Sequence, residues 1–522
     1  MTAHRHRHPL LPGPQTRMTT SPASMRRKED PRLVTGQGTY VGDIAAEGML
    51  TAAFLRSDVA HGTIASLDIG DAGTAVGVAA VFAAADLDLP DIPSEVSPVP
   101  VAGMSRPILA RDRVRHTGEA VAMIIAERPE QAADAVDLAW VDIEPLPVVI
   151  DPRTAAEFRP PIHPAAGTNV VERFESGDRG SGWGHDVEVT VEVVNQRLVA
   201  LSIEALSALA VPDGDGVLLY VGHQSPHQLK EELAGLLDFD VDVIVPDVGG
   251  GFGMKGRIYP EYVALLAAAR RLDRPVRWLQ SRREHLLTGT HGRDMVHTVT
   301  LGGNRTGRIV RAHFDILASV GAYPHVGAQV PTFSRLVAQG LYDIAEVTVS
   351  STTVVTNAAP TAPYRGAGRP EAACAIERAV ETFARRTGLD PLEVRRRNVF
   401  ASADLPHQTS TGAVYDSGDY AAAIDVAAQH VDVPALRKEQ IRRRREGRIP
   451  LGLGFGAFIE RAGGPPDAGE FARLRTSASR VPPRCEHRTT CAGRATNPMT
   501  GLRPARQLTD QSEPRIPLHR SE

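Results

Sequence analysis

The chain has 522 residues, room for about three domains by the usual length prior. Hydrophobic residues make up 42% and charged residues 23%, and the net charge is −4, a globular balance without the basic excess that a nucleic-acid binder needs. Three cysteines without a C-x-x-C exclude a zinc ribbon or a Cys-ligated iron–sulfur cluster here and fit a reducing compartment, while no apolar run nears the ~18 residues of a membrane span.

Residues 1–27 have no hydrophobic period and no signal-peptide core, and read as a disordered extension. His4, His6 and His8 alternate with Arg, which suits an unstructured or over-extended start better than a metal site. Met18 and Met25 are alternative starts. Residues 28–150 read as one small α/β domain, with strands at 49–55, 76–82 and 121–126 and a helix at 129–138 that opens on proline. His61 is expected to hydrogen-bond a turn. Residues 151–185 are dense in turn signals and read as a linker.

Alternation resumes at Val187, and 217–221 is a further strand. His223 and His227 are four apart, but Pro226 between them argues against a metal pair. Next comes VDVIVPDVGGGFGMK, from Val241 to Lys255: a strand, a Pro-bent connection, then Gly249, Gly250, Gly251 and Gly253 around Phe252. Four glycines remove the side-chain wall, so the backbone can turn tightly and approach a ligand. A helix follows, with Tyr262, Leu265, Leu266 and Ala269 on one face. Three readings stay open at this point. Gly251 to Gly256 matches G-x-G-x-x-G, the dinucleotide fingerprint, although Pro246 separates strand from glycines. A glycine turn that lets helix and strand pack is the plain alternative. The third is an N–H cradle for a phosphate-bearing cofactor of another class.

Strands at 276–280 and 347–356 and a hairpin pairing 296–301 with 309–317 follow. The second is succeeded by Ala362-Pro363-Tyr364-Arg365-Gly366-Ala367-Gly368-Arg369-Pro370-Glu371, a glycine loop with two arginine forks suited to oxyanions. A helix with Ala372, Ile376, Ala379, Val380 and Phe383 on one stripe comes next, ended by Gly388; Asp390 caps another. Arg437 to Arg448 reads as a solvated helix face, and Leu451 to Arg461 as a buried strand. From Thr476 to Glu522 there is no Phe, Tyr or Trp, so this tail reads as disordered and aberrant, the product of a shifted frame or a gene fragment. Another frame is then expected to encode β-rich sequence.

The segments KEDPRLVTGQGTYVGDI, FLRSDVAHGTI, VRHTGEAVAMIIAE, HQSPHQLKEELAGLL, VPDVGGGFGMK, HGRDM, PYRGAGRPEA and DPLEVRRRNV, in that order, resemble the molybdopterin-binding large subunit of the xanthine dehydrogenase, aldehyde oxidase and aerobic carbon monoxide dehydrogenase family. PYRGAGR is similar to the loop of the form II carbon monoxide enzymes. The resemblance implies an α+β fold: an N-terminal α/β hammerhead domain at 28–150, the 151–185 linker, then the first part of the molybdenum-cofactor-binding α+β domain at 186–475. It implies a molybdenum–molybdopterin cofactor, in the cytosine dinucleotide form. By motif position Gln224 would bond the apical oxo ligand, Gly250, Gly251, Phe252 and Gly253 would supply backbone donors, and Arg365 would stand beside the metal, none of them ligating it. It implies further a cytoplasmic multi-subunit hydroxylase that oxidises an aldehyde, an N-heterocycle or a similar small molecule with water-derived oxygen. The 2Fe-2S and FAD groups would lie on partner subunits in a dimer of heterotrimers, with no nucleic acid and no membrane span.

The chain departs from the family pattern in places. Gly366 stands where the authentic carbon monoxide enzymes carry cysteine, which disfavours carbon monoxide. Gly256 and Ala367 replace an acidic and an aromatic residue of the purine hydroxylases, which disfavours a purine. The general-base glutamate has no match, so it is expected in a missing C-terminal part, and the chain as given is expected to be inactive. Two readings compete: a nonfunctional fragment or partner-binding remnant, and an NAD-binding Rossmann dehydrogenase through Gly251 to Gly256. Gln224, Phe252 and Arg365 each lie between a strand and a helix, so the three loops are expected to open on the same edge of one layer.

Overall fold

The computed structural model describes residues 27–96, 99–177 and 185–460, and the backbone of two further strands, Glu470–Leu474 and Cys485–Thr489, which pair antiparallel. The histidine-rich start, and the tail apart from the second of these strands, lie outside the described residues.

A seven-stranded sheet runs through the first part of the molecule. Its order is Val241–Ile244, Gly216–Val221, Ser207–Asp213, Val276–Leu279, Leu50–Arg56, Ala120–Ala126 and Val78–Ala83. Ala120–Ala126 is buried at every position because both faces of the strand are covered, Met123 and Ile125 packing into one core and Ala122 and Ile124 into another, which is why AVAMIIA reads as a continuous apolar run rather than an alternation. The strands of 28–150 and those beyond 200 therefore belong to one sheet, joined where Leu50 and Val276 pair in parallel. The helix Pro260–Leu272 covers this sheet, with Tyr262, Leu265, Leu266 and Ala269 fully buried. A smaller three-stranded sheet carries Gly62–Asp68, where His61 Nδ1 meets the Pro147 carbonyl at 2.7 Å.

A second, five-stranded sheet has the order Val187–Asn195, Met295–Gly303, Ile309–Ser319, Glu346–Val354 and Val170–Ser176. The hairpin turn at Asn304 is held by its own side chain, whose Oδ1 accepts from Thr306 N and Arg308 N, both at 3.1 Å. The helix Arg369–Thr387 buries Ile376, Ala379, Val380 and Phe383 in the core that this sheet forms. It ends at Gly388 with φ +75°, and Asp390 caps the next helix, Pro391–Asn398, through Leu392 N at 2.8 Å.

Two sequence readings are corrected here. The 151–185 segment is more than a linker: Val170–Ser176 is the edge strand beside Glu346–Val354, hidden in the sequence by its charged residues Glu172, Arg173 and Glu175. Residues 451–460 are not a buried strand. They alternate half-buried and exposed positions without a strand partner among the described residues, and lay Phe455, Ala457 and Ile459 on the second core.

Candidate functional site

Strands Gly216–Val221 and Val241–Ile244 are parallel neighbours, so their carboxyl ends point the same way. The residues after each one, 222–225 and 245–253, must then lie side by side. Gln224 joins them directly: its Oε1 accepts from Gly253 N at 2.9 Å, and its own N–H donates to the Lys255 carbonyl at 2.7 Å. Because the amide oxygen is used on an N–H, the amide NH2 of Gln224 remains a donor facing outward.

Arg365 does not come from the same layer. It follows Glu346–Val354 of the second sheet, which corrects the single-edge expectation. It reaches the glycine loop because the chain pairs at Thr361 with His291 and passes back across Gly292, leaving Arg365 N donating to the Phe252 carbonyl at 3.0 Å. The site therefore lies at a seam between two sheets.

The glycine cluster is built for close approach. Gly253 has φ +98°, and an added Cβ would run into the Pro363 carbonyl oxygen. Phe252 holds φ +54° and Ala367 φ +42°, left-handed values that cost a side-chain-bearing residue roughly 1–2 kcal/mol each. Phe252 is 40% exposed, so apolar burial offsets only part of the cost there. The N–H groups of Gly250, Gly251 and Phe252 donate to no protein acceptor among the described residues, and the Arg365 guanidinium makes no ion pair among them. Gln224, Gly251, Phe252, Gly253 and Arg365 are thus in one contiguous patch, with Gly250 at its rim against Ser202.

Several supporting residues were not singled out in the sequence. Glu204 Oε2 accepts from Gly249 N at 2.9 Å and from Lys255 Nζ at 2.6 Å, while Glu204 N donates to the Gly249 carbonyl. Lys255 is fully buried; burial pushes its ammonium pKa down and Glu204 holds it up. This clamp closes both ends of the glycine loop. On the other side Arg293 donates to the Arg365 carbonyl at 3.1 Å, covers the Tyr364 ring, and pairs with buried Glu371 at 2.8 Å. Charged residues inside apolar stretches, Glu204 in LVALSIEALSALAV above all, were the available signal.

Other sequence candidates are engaged elsewhere. Arg369 pairs with Glu460 at 2.6 Å, so only one of the two arginine forks is open. His223 accepts from Ser225 N at 3.0 Å, and burial pushes its pKa down to about 4. Among the described residues no group of three His, Cys, Asp or Glu side chains could hold a metal ion. The dinucleotide reading fails on geometry. The helix starts only at Pro260, and its first turn is shut by Glu261, buried and paired with Arg56 at 2.9 Å, leaving no open N-terminus for a pyrophosphate. Among the described residues no helix is long and apolar enough to cross a membrane.

Residues 35–147 match the aldehyde oxidase and xanthine dehydrogenase a/b hammerhead domain, and residues 162–399 match the molybdopterin cofactor-binding domain. The nicotine 6-hydroxylase large subunit of Paenarthrobacter nicotinovorans is 34% identical over 452 residues, covering 84% of this chain and 55% of that protein. The carbon monoxide dehydrogenase large chain of Hydrogenophaga pseudoflava is 32% identical, covering 84% and 58%. Quinoline 2-oxidoreductase from Pseudomonas putida 86 superposes with a TM-score of 0.78 at 31% identity, over 81% of this chain and 56% of that one. The chain spans a little over half the length of these relatives.

Proposed function

The chain belongs to the family of molybdopterin-binding large subunits that includes xanthine dehydrogenase and carbon monoxide dehydrogenase, and from that premise we propose that the seam at Gln224, Gly250–Gly253 and Arg365 is where it holds the molybdenum–pterin of a multi-subunit hydroxylase. The observation that carries the proposal is the donor set. Three N–H groups without a protein acceptor, the side-chain amide of Gln224 and the Arg365 guanidinium, which makes no ion pair among the described residues, share one patch. The nearby Glu204 carboxylate is already committed to Gly249 N and Lys255. Such a patch fits an oxyanion-rich group, as an oxo-metal centre on a phosphorylated pterin is.

When bound, the cofactor would supply two-electron redox chemistry at an oxygen-transferring metal. The chain's residues orient it. The Glu204–Lys255 clamp fixes the glycine loop, so its N–H groups need no reorganisation when charge develops opposite them. Arg293 fixes the Arg365 backbone and leaves its side chain to neutralise an anionic oxygen. The proposed substrate is an N-heterocycle or an aldehyde. Gly256 has open space around its would-be Cβ and Ala367 is small, so neither presents a group to recognise a purine. The cytosine dinucleotide form of the cofactor, 2Fe-2S and FAD subunits in a dimer of heterotrimers, and a cytoplasmic site complete the proposal.

Arg365→Ala tests it. With the partner subunits and a cofactor-making host, the variant should keep its melting temperature and retain at least tenfold less molybdopterin. Unchanged loading would remove Arg365 from the site.

A further inference from the structure

A small, partly enclosed cavity of about 30 Å³ lies where the 92–106 segment meets the segments flanking both loops. Its walls include Met254, next to Gly253, and Ala362, three residues before Arg365. This volume admits about two water-sized particles. Arg106, Arg257 and His325 line it, and no Asp or Glu does.

The charges there are unevenly compensated. Arg257 is paired with Glu232 at 2.6 Å. The Arg106 guanidinium has no hydrogen bond or ion pair among the described residues and stands 5.8 Å from the centre of the Tyr323 ring. Its backbone is pinned by paired bonds to Ile92 at 2.8 and 2.9 Å, so the side chain is held at the wall. The carboxylates that feel its charge are committed elsewhere: Glu261 to Arg56 at 2.9 Å, and Glu119 to Tyr323 and to Arg115 N. The His325 ring likewise has no partner among the described residues, and burial, with Arg257 and Arg106 nearby, pushes its pKa down to about 4. At neutral pH it presents a neutral imidazole with one N–H to give.

We propose that this cavity binds one small monovalent anion of halide size, held between the Arg106 guanidinium and the His325 N–H. A half-buried guanidinium in a small pocket without a carboxylate is costly to leave uncompensated, and the remaining walls are largely apolar, which suits a weakly hydrated anion over a divalent one. The anion tethers the 92–106 segment to the stems of both loops.

Bromide is the probe. Crystals of the full chain grown without chloride and soaked in sodium bromide should show an anomalous peak in this cavity, and in solution the wild-type protein should broaden the ⁸¹Br resonance of bromide, an effect that saturates as bromide is raised. Arg106→Met should lose the peak and bind at least tenfold more weakly. Should that variant fail to fold, His325→Leu serves, with the same expectation. Water alone in the cavity of crystals that carry bromide elsewhere, or an equal peak in the folded variant, overturns the proposal.

Discussion

At Gly253 three requirements meet: a φ of +98°, an N–H given to Gln224, and the Pro363 carbonyl lying where a Cβ would go. Gly253→Ala should therefore part the two loops. The φ strain alone is about 1–2 kcal/mol. The clash is with backbone, which cannot rotate away, so a loss of roughly 2–4 kcal/mol in unfolding free energy is expected by urea titration. Gly256→Ala, with open space at its Cβ, is the control and should cost under about 1 kcal/mol. Equal, small losses for both would show that the loops do not touch. The glycines were legible in the sequence because only glycine supplies such backbone. Glu204, Lys255 and Arg293 were not, because their partners are tens of residues away and no local period reports a buried charge pair.

At the scale of elements, periodicity was a good guide where one face is buried. The helix Arg369–Thr387 shows its stripe in sequence because that stripe packs on the second sheet. Phe383 lies fully buried in it, beside Gly303, where a Cβ would come within 2.8 Å of its ring. Phe383→Ala should cost about 3–5 kcal/mol in urea unfolding, since little can collapse into the space. A loss below about 1 kcal/mol would mean that this helix does not seat as described. Because the Arg365 loop leads into the same helix, cofactor retention should fall with stability in this variant. The pattern misled where pairing, not periodicity, decides. Residues 451–460 alternate as a strand would, yet lie unpaired on the core; Val170–Ser176 carries exposed charges and is paired.

For the molecule as a whole, the seven-stranded sheet binds both matched regions into one core. That join rests on a short parallel pairing, Leu50 with Val276 and Thr51 with Arg277, for which sequence offers no signal. Burial also sets a common acid response. His116 has its pKa pushed down to about 3, and His163, His223, His291, His297 and His325 to about 4, mainly by desolvation. Each is neutral when folded and has an ordinary value near 6.5 when unfolded. The unfolded chain then binds more protons below about pH 6.5, so stability is full above that pH and drains away toward pH 4. Glu119 and Glu232 act in the opposite sense, their pKa values raised by burial, but they are two groups against six. The melting temperature should fall steadily from pH 7 to pH 5, with net uptake of about four to six protons on unfolding near pH 5. A flat profile would contradict neutral burial of these rings.

Metal and pterin analysis of the purified chain, wild type beside Phe252→Asp, tests the central assignment most directly. Phe252 is exposed at the seam, so aspartate there leaves the core alone and sets a carboxylate against the N–H donors. After expression in a host that makes the cofactor, the wild type should carry molybdenum and pterin in equal amounts. A Phe252→Asp chain of unchanged melting temperature should carry at least tenfold less. Equal loading of the two chains, or a folded wild type that takes up neither, would contradict that assignment.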